Sequence, residues 1–137
     1  HLSPLSIDGI FSDDTGLEIS ALGGQPGVRT ARWAGEPAMD SHNRAKALQE
    51  LKGISNRQAR FRTVITLIQK GMKQQVEGIV TGQIAENEMG EGGFGYDPLF
   101  IPEGYDKTFA QLPAEVKNTI SHRARALEAL RDLLENQ

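Results

Sequence analysis

The spacing of apolar positions changes several times along this chain, and each change marks an element. Residues 10–13 make a short apolar-to-acidic run, consistent with a strand whose end carries two carboxylates. Asp40 and Ser41 can cap a helix in which Ala45, Leu48 and Leu51 recur at helical spacing, and Gly53 stops it. Residues 60–69 (RFRTVITLIQ) are rich in β-branched side chains and too short for a typical helix, which predicts a strand. Residues 70–73 turn the chain, and residues 75–84 (QVEGIVTGQI) return as the hairpin partner. Residues 96–101 predict a third strand. Pro113 suits the first position of a short helix. From Ser121 a final helix runs to about Glu135, with Ala124, Leu127, Leu130 and Leu134 on one face. Glycine-rich turns at 23–27, 35–37 and 89–93 separate these pieces. Strands followed by helices, with a hairpin among them, predict a mixed α/β domain over residues 1–137.

Composition narrows the function classes. The 137 residues suit one domain with a sizeable core, and 38% hydrophobic and 24% charged residues are typical of a globular chain. A net charge of -3 speaks against a nucleic-acid partner, which needs a basic face. It leaves room for an anionic small molecule held by a metal or a few placed cations. The absence of cysteine removes disulfides and thiolate metal sites, and it fits a reducing, cytoplasmic setting. No apolar run is long enough for a membrane-spanning helix.

Three clusters carry candidate chemistry. In Ser12-Asp13-Asp14-Thr15-Gly16, adjacent carboxylates suit a hard cation such as Mg²⁺. Neighbours on a strand face opposite ways, so gripping one ion requires the chain to turn, and Gly16 could provide that turn. The plainer alternative is a solvated turn. In Gly92-Gly93-Phe94-Gly95-Tyr96-Asp97-Pro98, glycines let the backbone approach a flat ligand, with Phe94 or Tyr96 stacking and Asp97 accepting a hydrogen bond. A glycine-rich loop with core aromatics reads equally well. The third cluster is Lys117 with Ser121-His122-Arg123. Cations at a helix N-terminus oppose the helix dipole, which invites a functional explanation beside that of ordinary surface charge. His1 and His42 read as surface residues, and Trp33 as packing or interface.

In this order, SDDTGLEISALGGQPGVRTARWAG, RQARF, GEGGFGYDPLF and KNTISHRARAL closely resemble the inosine triphosphate pyrophosphatase (Ham1-like) family, from about Ile10 onward. The resemblance implies a mixed, curved central β-sheet flanked by helices, with two lobes and a nucleotide cleft between them. It implies Mg²⁺-dependent hydrolysis of ITP, dITP and XTP to the monophosphate and pyrophosphate. By the same resemblance Asp14 is the catalytic carboxylate and metal ligand, with Asp13 beside it. Thr15 takes the place of a substrate-touching hydroxyl residue. Phe94, Gly95, Tyr96 and Asp97 form the nucleobase loop, and Lys117, His122 and Arg123 supply further base-side contacts. Hypoxanthine and xanthine carry a 6-oxo acceptor where adenine carries an amino donor, so donors from His122 or Arg123 would discriminate between them. A homodimer is expected, to which the apolar and aromatic character around Trp33 adds.

Full members of that family begin with a strand and a Thr-x-Asn-x-x-Lys phosphate loop, followed by a metal-binding glutamate and a further lysine. Residues 1–9 hold none of these. The expectation is a chain lacking the N-terminal segment, with an exposed sheet edge and little pyrophosphatase activity of its own. The alternative is a catalytically silent nucleotide-binding or structural remnant. The intact Asp13-Asp14, FGYD and SHR segments favour descent from a working enzyme.

Overall fold

The β-branched hairpin forms the centre of the molecule. In the computed structural model, which describes residues 9–69 and 71–135, strand β2 (Gln58–Gln69) pairs antiparallel along its whole length with β3 (Met72–Ile84). Strand β1 (Gly9–Ile19) pairs antiparallel with the other side of β2, and β4 (Phe100–Pro102) pairs antiparallel with the end of β3. The four strands make one sheet in the order β1-β2-β3-β4 among the described residues. Among the described residues three α-helices follow the α/β expectation: α1 (Asp40–Glu50), α2 (Ala114–Ile120) and α3 (His122–Glu135).

Alternation in β2 sends Ala59, Phe61, Thr63, Ile65 and Leu67 to one face, all of them buried. The cross-strand partners Val80 and Leu17 join Phe61 on that face, while Gln74 and Val76 lie opposite Leu67 and Ile65. One apolar cluster gathers Leu17, Ile19, Trp33, Leu51, Phe61, Leu99, Phe100 and Phe109 at the first half of β2. A second, under α3, gathers Ile65, Leu67, Ala126 and Leu130. The opposite face mixes Val64, Ile68 and Ile79 with charged residues, including the ion pairs Arg60–Glu18 at 2.6 Å and Arg62–Glu77 at 2.7 Å.

Several expectations change. The first strand does not end at the carboxylates but runs on to Ile19, because Leu17 and Ile19 have a buried face to join. The strand expected over 96–101 shrinks to Phe100–Pro102, because residues 96–99 turn, with Leu99 N–H donating to Tyr96 O at 2.8 Å. Helix α1 follows Met39 with no side-chain cap, and Asp40 is its first residue, its carboxylate being used elsewhere. Pro113 precedes α2 instead of opening it. Ser121 does cap α3, accepting from Ala124 N–H at 3.1 Å. The buried stripe of α3 is Ala126 and Leu130, with Leu133 and Leu134 at its border, and Leu127 is 47% exposed. Trp33 is packing: it is buried in its own chain, with the Lys46 ammonium 5.6 Å from the ring centroid. His42 is exposed as expected, while His1 lies outside the described residues.

One glycine sets the height of α3 above the sheet. A Cβ on Gly78 of β3 would stand 2.1 Å from Ala126 N and 2.2 Å from His122 O, both rigid helix backbone. Gly78→Ala must therefore lift α3 off the sheet and open the second apolar cluster. The expected loss is about 3 kcal/mol, at the upper end for overpacking, read from urea unfolding. A loss under about 0.5 kcal/mol, the size of an ordinary surface change, would contradict this packing.

Candidate active site

The acidic segment lies inside β1. Asp13 pairs with Ile65 and Asp14 with Val64 in a regular ladder, and Gly16 continues it opposite Arg62. The turn at Gly16 that would bring two carboxylates onto one ion is therefore absent. Gly16 serves another end: a Cβ there would stand 2.8 Å from Gly27 O, so its absence lets the 3-10 turn Gly27–Arg32 close over the strand. Leu17 N–H donates to Thr30 Oγ1 at 2.9 Å, and that hydroxyl donates to Gly27 O at 2.6 Å. Asp14 is exposed, on the face of the sheet that carries Val64. Thr15 takes the opposite face, its hydroxyl 2.9 Å from that of Thr63. The Asp13 side chain lies outside the described residues.

Among the described residues no group of three or more His, Asp or Glu side chains could hold a metal unaided. Asp14 is nevertheless a hard oxygen donor. Mg²⁺ is commonly held by one or two carboxylates, with substrate phosphates and waters completing the shell. The chemistry of this donor fits that arrangement.

The second and third clusters do come together. Asp97 is only 4% exposed, and its Oδ2 accepts from Phe94 N–H at 3.0 Å and from the Lys117 ammonium at 2.5 Å. Gly93 adopts φ 75° against this carboxylate, where a Cβ would stand 2.2 Å from Oδ2. Lys117 also lies 4.8 Å from the centroid of the Phe94 ring. That ring is 68% exposed, an unusual place for a large aromatic. Tyr96, the other stacking candidate, is buried, and its hydroxyl donates to Thr30 O at 2.6 Å. Burial, and secondarily the charge of Asp40, pushes this hydroxyl's pKa upward, so it stays a donor. Tyr96 is thus a strut between the loop and the turn over β1, and Phe94 is the ring available to a ligand.

His122 opens α3 with its ring stacked on Phe61, centroids 4.7 Å apart. Its Nδ1 is buried and has no hydrogen-bond partner among the described residues. Burial first, then the positive charges of Arg123 and Lys117, lower its pKa to about 4. At neutral pH it is an uncharged imidazole. Arg123 is exposed beside it. The described geometry thus joins Phe94, Asp97 and Lys117 directly and places His122 close enough to Lys117 to feel its positive charge. No described side-chain contact links them to Asp14. On α1, Asp40 was read from the sequence only as a helix cap and Arg44 was not singled out, although both bond to the loop. Only the three-dimensional pairing reveals them.

A groove of about 740 Å³ lies elsewhere, where Gln58, Arg60, Gln83, Glu103, Tyr105 and Asp106 meet. It contains none of the candidate residues. Its arginine is already paired with Glu18, and Glu103 and Asp106 make it a poor place for a polyphosphate.

The sequence pattern of the Ham1 family matches residues 3–133, which takes in all four described strands and nearly all of α3. The chain belongs to the Ham1 family. It is similar to the dITP/XTP pyrophosphatase of Flavobacterium johnsoniae, at 52% identity over 124 residues, covering 90% of this chain and 65% of that protein. It is equally similar to the dITP/XTP pyrophosphatase of Bacillus subtilis, at 52% identity over 129 residues, covering 92% and 65%. Among solved structures, the Ham1 protein of Staphylococcus aureus superposes with a TM-score of 0.87 at 45% identity, covering 90% of this chain and 65% of that one. The chain therefore spans about 65% of the length of these Ham1 relatives.

The His122 environment has a measurable consequence. Its folded-state pKa, about 4, lies below the ordinary value of 6.5. Between these values the unfolded chain holds a proton that the folded chain does not, so stability falls as pH drops from 6.5 towards 4. His122→Phe keeps a ring on Phe61 but removes the titration. Between pH 7 and 4.5 the parent should lose about 2 kcal/mol more than this variant in urea unfolding. Equal losses would contradict the buried, neutral assignment.

Proposed function

We propose that this chain carries the base-recognition end, and part of the catalytic end, of a nucleoside-triphosphate pyrophosphatase. The reaction is hydrolysis of non-standard purine triphosphates (ITP, dITP and XTP) to the monophosphate and pyrophosphate. Membership of the Ham1 family supports it, as do relatives at 52% identity that bear the name dITP/XTP pyrophosphatase. The observation that carries the reading is the exposed Phe94 ring, held beside the ion pair of the buried Asp97 with the half-buried Lys117.

In this reading the purine stacks on Phe94, whose position is fixed by the bond from its own N–H to Asp97. The 6-oxo group of hypoxanthine or xanthine accepts from Arg123 or from the neutral His122. An adenine amino group would face those donors with donors of its own and leave them unpaired. Thr15 contacts the substrate from β1. Asp14 would hold Mg²⁺, which would offset phosphate charge and activate water, while Asp13, its neighbour in the ladder, would add negative charge nearby without sharing the ion. Asp14 accepts the proton of the attacking water. The new P–O bond forms as the bond to the pyrophosphate leaving group breaks. A homodimer belongs to this reading on family resemblance alone, since Trp33 is buried within its own chain. A cytoplasmic setting suits a nucleotide-pool enzyme, and no described helix is long and apolar enough to cross a membrane.

Two measurements test it. Phe94→Ala should weaken IMP binding to the 137-residue chain. About tenfold is expected from the worth of one base–aromatic stack, with the preference for IMP over AMP reduced, both read by calorimetry. Unchanged IMP affinity would remove Phe94 from the base site. In a version extended to the length of its relatives, Asp14→Asn should lower Mg²⁺-dependent pyrophosphate release from dITP by about 10²-fold or more. Turnover within tenfold of the parent would overturn the role of Asp14.

A further inference from the structure

The base loop is held from outside by α1. Asp40 Oδ2 accepts from Gly95 N–H at 3.0 Å, and Arg44 Nη1 donates to Gly95 O at 2.9 Å. Both backbone polar groups of one loop residue are thus bonded to side chains one turn apart on a single helix. The arginine is itself fixed: its side chain is 17% exposed, and Nε donates to Glu88 at 2.9 Å.

Packing does not hold Gly95. It sits at φ 60°, and nothing lies within 4 Å of where a Cβ would be. Glycine brings the greatest backbone freedom of any residue, and the neighbouring Phe94 is largely exposed. Hydrogen bonds must therefore supply the order that contacts do not. Those from α1 are charge-assisted, which makes them the stronger kind. The helix is a firm support, because Ala47 and the following Leu51 are fully buried. Asn43 also accepts from Ala34 N–H at 2.8 Å and donates to Ala31 O at 2.9 Å. Phe94 is bracketed: its own N–H is held by Asp97 and the next residue is held by α1.

We propose that Asp40 and Arg44 are positioning residues of the base loop, fixing Gly95 so that the Phe94 ring stands ready for a purine. Neither need touch the ligand. The proposal deepens the functional reading above and rests on it for the identity of the ligand, but the state of the loop can be measured without any ligand.

Asp40→Ala and Arg44→Ala each remove one bond, whereas Asp40→Asn removes the charge and keeps an acceptor oxygen. Two quantities are measured on the 137-residue chain: hydrogen exchange of the Gly95 amide by NMR, and IMP binding by calorimetry. Asp40→Ala should speed Gly95 exchange about tenfold, the worth of one charge-assisted bond, and weaken IMP several-fold. Asp40→Asn should keep both within about threefold of the parent, a smaller loss than removal of the acceptor. Arg44→Ala should weaken IMP without changing the thermal midpoint appreciably. Equal exchange rates in the parent and Asp40→Ala would overturn the proposal. So would equal losses in Asp40→Ala and Asp40→Asn, which would mark a charge effect on α1 instead. If the parent itself fails to bind IMP, the functional reading fails, and the exchange rates still decide whether α1 positions the loop.

Discussion

A single carboxylate oxygen organises the loop that carries Phe94. Asp97 is buried, and a buried carboxylate is tolerable only when its charge is met and its lone pairs are used. Lys117 meets the charge from α2, and Phe94 N–H takes a second place on the same oxygen. The backbone of Asp97 also accepts from Ala110 N–H at 3.2 Å, which ties in the turn that carries Phe109. Three separate stretches of chain therefore converge on one residue. Gly93 makes this possible, since any side chain there would occupy the space the carboxylate needs. Removing the Asp97 carboxylate would leave an ammonium without its partner beside exposed aromatic surface, and the loop without its anchor.

The sheet gives this junction a fixed frame. Gly78 lets α3 lie directly on β3, which brings the start of the helix to the Phe61 ring. Phe61, Phe100 and Phe109 pack together beneath the loop, with centroids 4.7 Å and 5.3 Å apart for the two closer pairs. On the other side, Tyr96 bonds to Thr30, whose hydroxyl bonds to Leu17 of β1. A short chain of hydrogen bonds thus runs from the Phe94 loop to the strand that carries Asp14. That link is mechanical, not catalytic: it ties the loop to β1.

Much of this was legible in the residues alone, for identifiable reasons. The β2–β3 hairpin was readable because a long β-branched run followed by Lys70-Gly71 has few other structures open to it. The Lys117, Asp97 and Phe94 group was readable from motif resemblance, though not the sharing of one oxygen. The role of Gly16 was misread because a glycine in a strand can mark either a turn or a close approach, and only the position of Gly27 decides. The helical face of α3 was displaced because leucines alone do not record the approach that Gly78 permits. Tyr96 looked equivalent to Phe94 until burial separated them. Asp40 and Arg44 lie more than fifty positions from Gly95 in sequence, counting from either. They bond to its backbone, so the identity of the loop residue carries no trace of the pairing.

The central claim is that a purine stacks on Phe94 beside the Asp97–Lys117 pair. Intermolecular nuclear Overhauser effects between IMP and the isotope-labelled chain test it directly. Contacts from the purine H2 and H8 protons to the Phe94 ring are expected, with shifts at Lys117, His122 and Arg123. Contacts confined to the groove around Arg60, Gln83 and Tyr105, with the Phe94 ring undisturbed, would contradict it.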